Sequence, residues 1–198
     1  MKDFIATLRG SFYKFECKLF RRNVQIGSRL RLFKRLAIRG EGKVSIGDNC
    51  VISGIRGDSR QYVTLYVHGR EATICIGNHV CLCAARFSSK WEVTVGDDVL
   101  IEESGIIDTD FHSIDKSRMD VENEDRERCK IVIGNRVSIA VKSMITKGVR
   151  IGDDAVIMPG SIVTRSIPSG SIVLGNPAKI LRQTGCALQK AGDELYGE

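Results

Sequence analysis

The sequence predicts an all-β chain: a left-handed parallel β-helix, the hexapeptide-repeat solenoid, with a short N-terminal helical segment, one long polar loop and a C-terminal cap. Three observations predict it. An aliphatic residue recurs every six positions, at Ile133, Ile139, Ile145, Ile151, Ile157 and Val163. Shifted phases of the same pattern run upstream, at Ile46 and Ile52, at Ile76 and Leu82, and at Val95, Ile101 and Ile107. Small or polar triplets punctuate the repeat at Gly47-Asp48-Asn49, Gly96-Asp97-Asp98 and Gly152-Asp153-Asp154.

Period six separates this reading from its rivals. An amphipathic helix places apolar residues at i, i+3, i+4 and i+7, which six does not match. A helix would also have to carry Gly134, Gly148, Gly152 and Gly160, each costing about 1 kcal/mol relative to Ala. An alternating antiparallel strand has period two with no six superimposed. In a hexapeptide solenoid each repeat forms one flat face of a triangular coil. The aliphatic residue points inward and Gly, Asp and Asn make the corners.

The reading divides the chain into a basic N-terminal segment at residues 1–40, a solenoid at 41–182 and a tail at 183–198. The repeat halts after Ile107 and resumes at Ile131. Eleven of the eighteen residues at 113–130 are charged. A long polar excursion from a rigid scaffold is a common place for function, and a solvated surface loop is the alternative. Pro168 and Pro177 end the regular coils, and a short capping helix is expected from about Lys179.

Bulk composition bounds the function classes. Hydrophobic residues make up 42% and charged residues 27%, the balance of a globular domain. No apolar run reaches the roughly 20 residues that span a bilayer, and MKDFIATLRG lacks the form of a secretory signal. Seven cysteines without a CxxC pair argue against structural zinc and an ordered disulfide framework, and favour a reducing cytoplasm.

Charge is uneven. Residues 1–40 hold eleven Lys/Arg against two acids, a net of +9, so the remainder carries −3 of the overall +6. Phe4, Ile5, Leu8, Phe12, Phe15 and Leu19 lie there at helical spacing, with Lys14, Lys18, Arg21 and Arg22 around them. An amphipathic helix follows. It either packs on the solenoid end or a neighbouring subunit, or docks on an anionic membrane surface, in the cytoplasm at the inner face. No recognition motif accompanies the charge, so nucleic acid is not the expected partner.

Three strings carry a family resemblance: VTVGDDVLIEESGIIDTDFHSI at 93–114, IVIGNRVSIAVKSMITKGVRIGDDAVIMPGSIVTRSIP at 131–168, and GNPAKILR at 175–182. Together with the repeat they resemble the hexapeptide-repeat acyltransferases, in the sugar O-acetyltransferase branch related to maltose and galactoside acetyltransferases. The likeness covers roughly residues 44–182. It implies acetyl-CoA as co-substrate, a saccharide acceptor, no metal, and a homotrimer with active sites between subunits. It places the catalytic base at His112, at the mouth of the polar loop. It places an oxyanion donor in the backbone at Ala140 or Val141, Pro159 beside the pantetheine arm, and Thr164, Arg165, Lys179 and Arg182 near the coenzyme phosphates. Cys83 and Lys90 fall near the positions of an Asn and an Asp that hold the sugar in galactoside acetyltransferases. Ser138-Ile139-Ala140 stands where the family commonly has Trp-Ile-Gly.

The residues support the same chemistry. Acetyl transfer to a hydroxyl needs a base, an oxyanion site and positioning. Histidine suits the base, because its unperturbed pKa of about 6.5 lies near working pH. Of three histidines, His68 and His79 read as structural. Asp108 and Asp110 alternate along an extended rung and would share one face. One of them, Asp110 for preference, could orient the imidazole, and Asp108 could hold a sugar hydroxyl; a solvated corner is the alternative. Arg and Lys suit phosphates because such bonds are charge-assisted. A carbonic-anhydrase-like zinc site needs close histidine pairs, and gaps of 11 and 33 residues do not supply them. N-acetylation of a nucleotide-linked amino sugar and a noncatalytic scaffold remain as alternatives.

Overall fold

The computed structural model describes residues 1–55, 58, 61–110 and 125–183. A helix, α1 (Lys2–Phe20), leads into strands that come in threes. The first coil is β1 (Val24–Ile26), β2 (Arg31–Leu32) and β3 (Leu36–Gly40). The second is β4 (Lys43–Ile46), β5 (Val51–Ser53) and β6 (Val63–Val67). The third is β7 (Thr73–Ile76), β8 (Cys81–Cys83) and β9 (Arg86–Ser89). The fourth is β10 (Glu92–Val95), β11 (Leu100–Glu102) and β12 (Gly105–Ile107). After a short helix, α2 (Arg126–Cys129), come β13 (Ile131–Ile133), β14 (Ser138–Ile139) and β15 (Met144–Ile145). The sixth is β16 (Arg150–Ile151), β17 (Val156–Ile157) and β18 (Ile162–Val163), followed by β19 (Ser171–Gly175) and β20 (Ala178–Gln183).

Each strand lies on the next of three sheets, and the fourth strand returns to the first sheet. Successive coils pair in parallel, as in Val95↔Ile133, Ile101↔Ile139 and Ile106↔Ile145. The six aliphatic residues from Ile133 to Val163 are all at most 2% exposed and fall in rotation on the three faces. Each such burial is worth about 1.5–3 kcal/mol, and the columns they form are the core.

Three expectations need correction. The first coil begins at Val24, which pairs with Val44, inside the segment read as preceding the solenoid. In the fourth coil Ile106, not Ile107, points inward. The corner before it is one residue shorter, with Glu103 at φ 35°, so Ile106 follows Ile101 by five positions instead of six. At the other end there is no capping helix over 179–183. Residues 178–183 turn back at Asn176-Pro177 and pair antiparallel with β19. An open sheet edge offers unpaired N–H and C=O groups, which a strand satisfies and a helix cannot.

The first corner, between the first and second faces, explains the Gly-Asx-Xxx triplets. The side-chain oxygens of Asp48, Asn78, Asp97, Asn135 and Asp153 accept from the backbone N–H of Ser28, Asp48, Asn78, Asp97 and Asn135, at 2.6–2.9 Å. Each oxygen thus ties one coil to the coil before it. Carboxylate and amide alternate along this column, so no two carboxylates are successive. Those bonds hold the Asp48 and Asp153 carboxyls below the ordinary carboxylate range. The residues that follow, Asn49, His79, Asp98, Arg136 and Asp154, take positive φ.

The glycine of the triplet sits where the next coil comes close. A Cβ on Gly96 would lie 2.6 Å from Asn135 Oδ1 and 2.8 Å from the Gly134 carbonyl. Gly96→Ala is therefore expected to lower unfolding free energy by about 1–3 kcal/mol. Urea unfolding checks it against Gly69→Ala, whose Cβ would meet nothing within 4 Å. Equal losses in the two variants would contradict the account.

Candidate active site

The polar loop leaves from the third corner, after β12. Asp108 sets its departure. It is fully buried. One carboxylate oxygen accepts from Ser89 Oγ at 2.7 Å and Trp91 N–H at 2.9 Å, and the other accepts from Lys90 N–H at 2.7 Å. Ser89, Lys90 and Trp91 form the corner of the coil below, and Asp108 supplies an acceptor for two backbone donors there. Hydrogen bonds to a charged acceptor are about twice as strong as neutral ones.

The two aspartates do not share a face as expected. Strand geometry ends at Ile107, so alternation ends with it, and Thr109 is buried beside Asp108. Asp108 is spent on the corner and cannot offer its oxygens to a sugar. Asp110 is exposed and pairs with Lys147 Nζ at 2.5 Å. His112 and residues 113–124 of the loop lie outside the described residues. The returning segment is held by α2, where the Asp125 side chain accepts from Glu127 N–H at 3.0 Å, and by Lys130 Nζ at 3.2 Å from Glu92.

A residue read as structural stands at the same corner. His68 Nε2 lies 2.7 Å from Ser88 Oγ, and its ring is 3.9 Å from that of Tyr66. Burial lowers its pKa from the ordinary histidine value, against the opposing charge of Asp108. His68 follows β6, and the six-residue repeat is interrupted in the sequence before that strand, so its register could not be counted from the repeat. His79 is on the first corner, with Nδ1 3.5 Å from Asp98.

A groove of about 450 Å³ runs along the third face. Gln61, Arg86, Ser88, Glu103, Gly105, Lys142 and Met144 are among its walls. Gly105 makes the floor. It points outward between Arg86 and Met144, and a Cβ there would meet only Met144 Cε, at 3.8 Å. One end of the groove reaches the second corner, where Lys142 pairs with Glu103 and Ser104 Oγ donates to Ala140 O at 2.8 Å. The other end, at Ser88 and Ile107, adjoins Asp108.

The residues assigned to acetyl-CoA divide between corners. Ala140, Val141 and Pro159 stack on the second corner, with Gly160 N–H donating to Val141 O at 2.9 Å. Lys179 joins that corner, because it pairs with Leu174 near the end of β19. Arg182 pairs with Ile172 toward the far end of β20, and Thr164 and Arg165 follow β18 on the third corner. Ala140 N–H donates to Ile157 O at 2.9 Å, so it is not an open oxyanion donor. Cys83 and Lys90 flank β9 at opposite corners, so no single edge presents both. Lys90 Nζ instead lies 5.1 Å from the Trp91 ring centre. Among the described residues, no three His, Cys, Asp or Glu side chains are grouped to hold a metal ion.

No family model matches the chain. The galactoside O-acetyltransferase of Escherichia coli K12 is 36% identical over 93 residues, which are 47% of this chain and 45% of that protein. The chain spans less than half the length of the curated relatives it matches. Among solved structures, a hexapeptide-repeat acetyltransferase of Vibrio cholerae, complexed with acetyl coenzyme A, is 26% identical with a TM-score of 0.50, covering 74% of this chain and 70% of that one. The N-acyltransferase AntD of Bacillus cereus, solved as a point mutant in complex with dTDP and coenzyme A, is 17% identical with a TM-score of 0.67, covering 92% and 95%, and shows the likeness of fold alone. In its repeat, its parallel three-sheet winding and these likenesses, the chain is similar to hexapeptide-repeat acetyltransferases.

Proposed function

We propose that the chain is an acetyl-CoA-dependent O-acetyltransferase that acetylates a hydroxyl of a sugar or polysaccharide precursor, as a left-handed β-helix trimer in the cytoplasm. One observation carries the reading. The groove floored by Gly105 joins the corner of Ala140 and Val141 to the corner where the chain departs toward His112. Thioester and base would thus meet along one face, with a neighbouring protomer closing the cleft.

In this reading the acceptor hydroxyl gives its proton to the His112 imidazole as its oxygen attacks the thioester carbonyl. The tetrahedral oxyanion takes a hydrogen bond from Val141 N–H, the donor of the pair not spent on the ladder. The carbon–sulfur bond then breaks, and the coenzyme thiolate recovers the proton from the imidazolium. Lys179 and, across the third face, Arg165 supply charge for the coenzyme phosphates. Asp110, paired with Lys147, contributes charge at the loop mouth.

Gly105→Leu tests the groove. The first carbon of the added side chain would meet only Met144 Cε, at an ordinary 3.8 Å, so thermal stability should hold. A displaced reactant can cost about 100-fold in rate, and kcat/KM should fall on that scale. Unchanged activity with the groove filled would move the site elsewhere. Acetylated product should lose its acetyl group to hydroxylamine. A resistant amide would favour transfer to an amine, as the name of AntD as an N-acyltransferase suggests for that protein.

A further inference from the structure

Helix α1 docks with the opposite face from the one its pattern suggests. Ala6, Gly10 and Cys17 are the buried residues, with Tyr13 packed beside them. A Cβ on Gly10 would lie 1.8 Å from Leu30 O, so the approach admits only small side chains. Phe4, Ile5, Leu8, Phe12, Phe15 and Leu19 are left between 42% and 74% exposed. At 3.6 residues per turn these six fall within an arc of roughly 100°. Arg9 and Lys2 fall on one rim of that arc, together with Glu16, and Lys18 and Lys14 on the other. Six contiguous exposed apolar residues are far from the scatter of a normal surface.

The charge beside this stripe is mostly basic, with Glu16 the one acid on its rim. Between α1 and the first coil lies a cavity of about 750 Å³. Arg9, Arg21, Lys34, Arg35 and Arg39 line it, and among the described residues no acid does. Arg9 sits on the rim of the stripe, so basic cavity and apolar face adjoin. No helix among the described residues is long and apolar enough to cross a membrane.

We propose that α1 is an in-plane anchor on an anionic phospholipid bilayer, with the apolar stripe in the acyl boundary and the basic cavity taking headgroup phosphates. The covering partner is lipid rather than protein because bases flank the stripe on both rims and fill the adjoining cavity. The proposal is independent of the chemistry on the third face.

Flotation of the full chain with vesicles tests it, since deleting residues 1–40 would remove β1–β3 as well. Vesicles of phosphatidylcholine are compared with vesicles containing phosphatidylglycerol, at low and high salt. The expected result is binding to anionic vesicles only, weakened by salt. A triple variant of Leu8→Ser, Phe12→Ser and Phe15→Ser should bind at least tenfold less. Lys14→Gln and Lys18→Gln should each weaken binding by roughly fivefold. Melting temperature and light-scattering mass report folding and assembly. Absence of wild-type binding to anionic vesicles would overturn the proposal, as would binding untouched by the triple variant. A smaller oligomer in the triple variant would also overturn it, and would assign the stripe to a second copy of the chain.

Discussion

An Asp108→Ala protein should be the least stable of the single variants and nearly inactive. The change removes the acceptor that the N–H groups of Lys90 and Trp91 share with the Ser89 hydroxyl, and leaves that hydroxyl its longer bond to Thr73 O at 3.3 Å. Donors to a charged group lose about 1.5–3 kcal/mol each when orphaned, and relaxation makes the total sublinear, so about 3–5 kcal/mol is expected. Asp108→Asn keeps the shape but turns one acceptor into a donor facing donors, so it should recover little. Chemical unfolding measures the cost. If Asp108→Ala unfolds like the parent protein, the corner is not held by this carboxylate.

His112→Ala should leave the fold and acetyl-CoA binding intact and lower kcat by about 10²–10⁴, the usual worth of a general base. Parent activity should fall at acid pH, where a histidine base becomes protonated. The pH limb should vanish in the variant. His68→Ala is the matched control, since that ring already faces Ser88 in the groove wall. A silent His112→Ala together with a dead His68→Ala would transfer the base to His68.

The core was legible because each face needs one inward aliphatic residue per coil, which writes a period of six directly into the chain. Gly-Asx triplets at the first corner were legible for a similar reason. Glycine is forced by the next coil, and the Asx oxygen is spent on the coil before. The second corner was harder to read. Ala84 and Glu103 take positive φ there without being residue types that signal it, which hid the slip to Ile106.

The site was less legible than the core because its parts meet across coils. Gly105 forms a groove floor only because Arg86 and Met144 are its neighbours on the third face. Nothing local marks that adjacency. Asp108 looked like a partner for substrate because a carboxylate near a histidine invites that reading. Its burial depends on the backbone donors at Lys90 and Trp91, which side-chain patterns do not display. The helix shows the same limit. The spacing of Phe4 to Leu19 reveals an apolar face, but the close approach of Leu30 decides which face packs.

Free-thiol release from acetyl-CoA by the purified full chain, with and without a panel of saccharides, tests the central claim most directly. The account predicts release that depends on a saccharide and yields an acetyl ester. A chain that neither binds acetyl-CoA nor releases thiol with any acceptor would contradict it, leaving the solenoid as a binding scaffold.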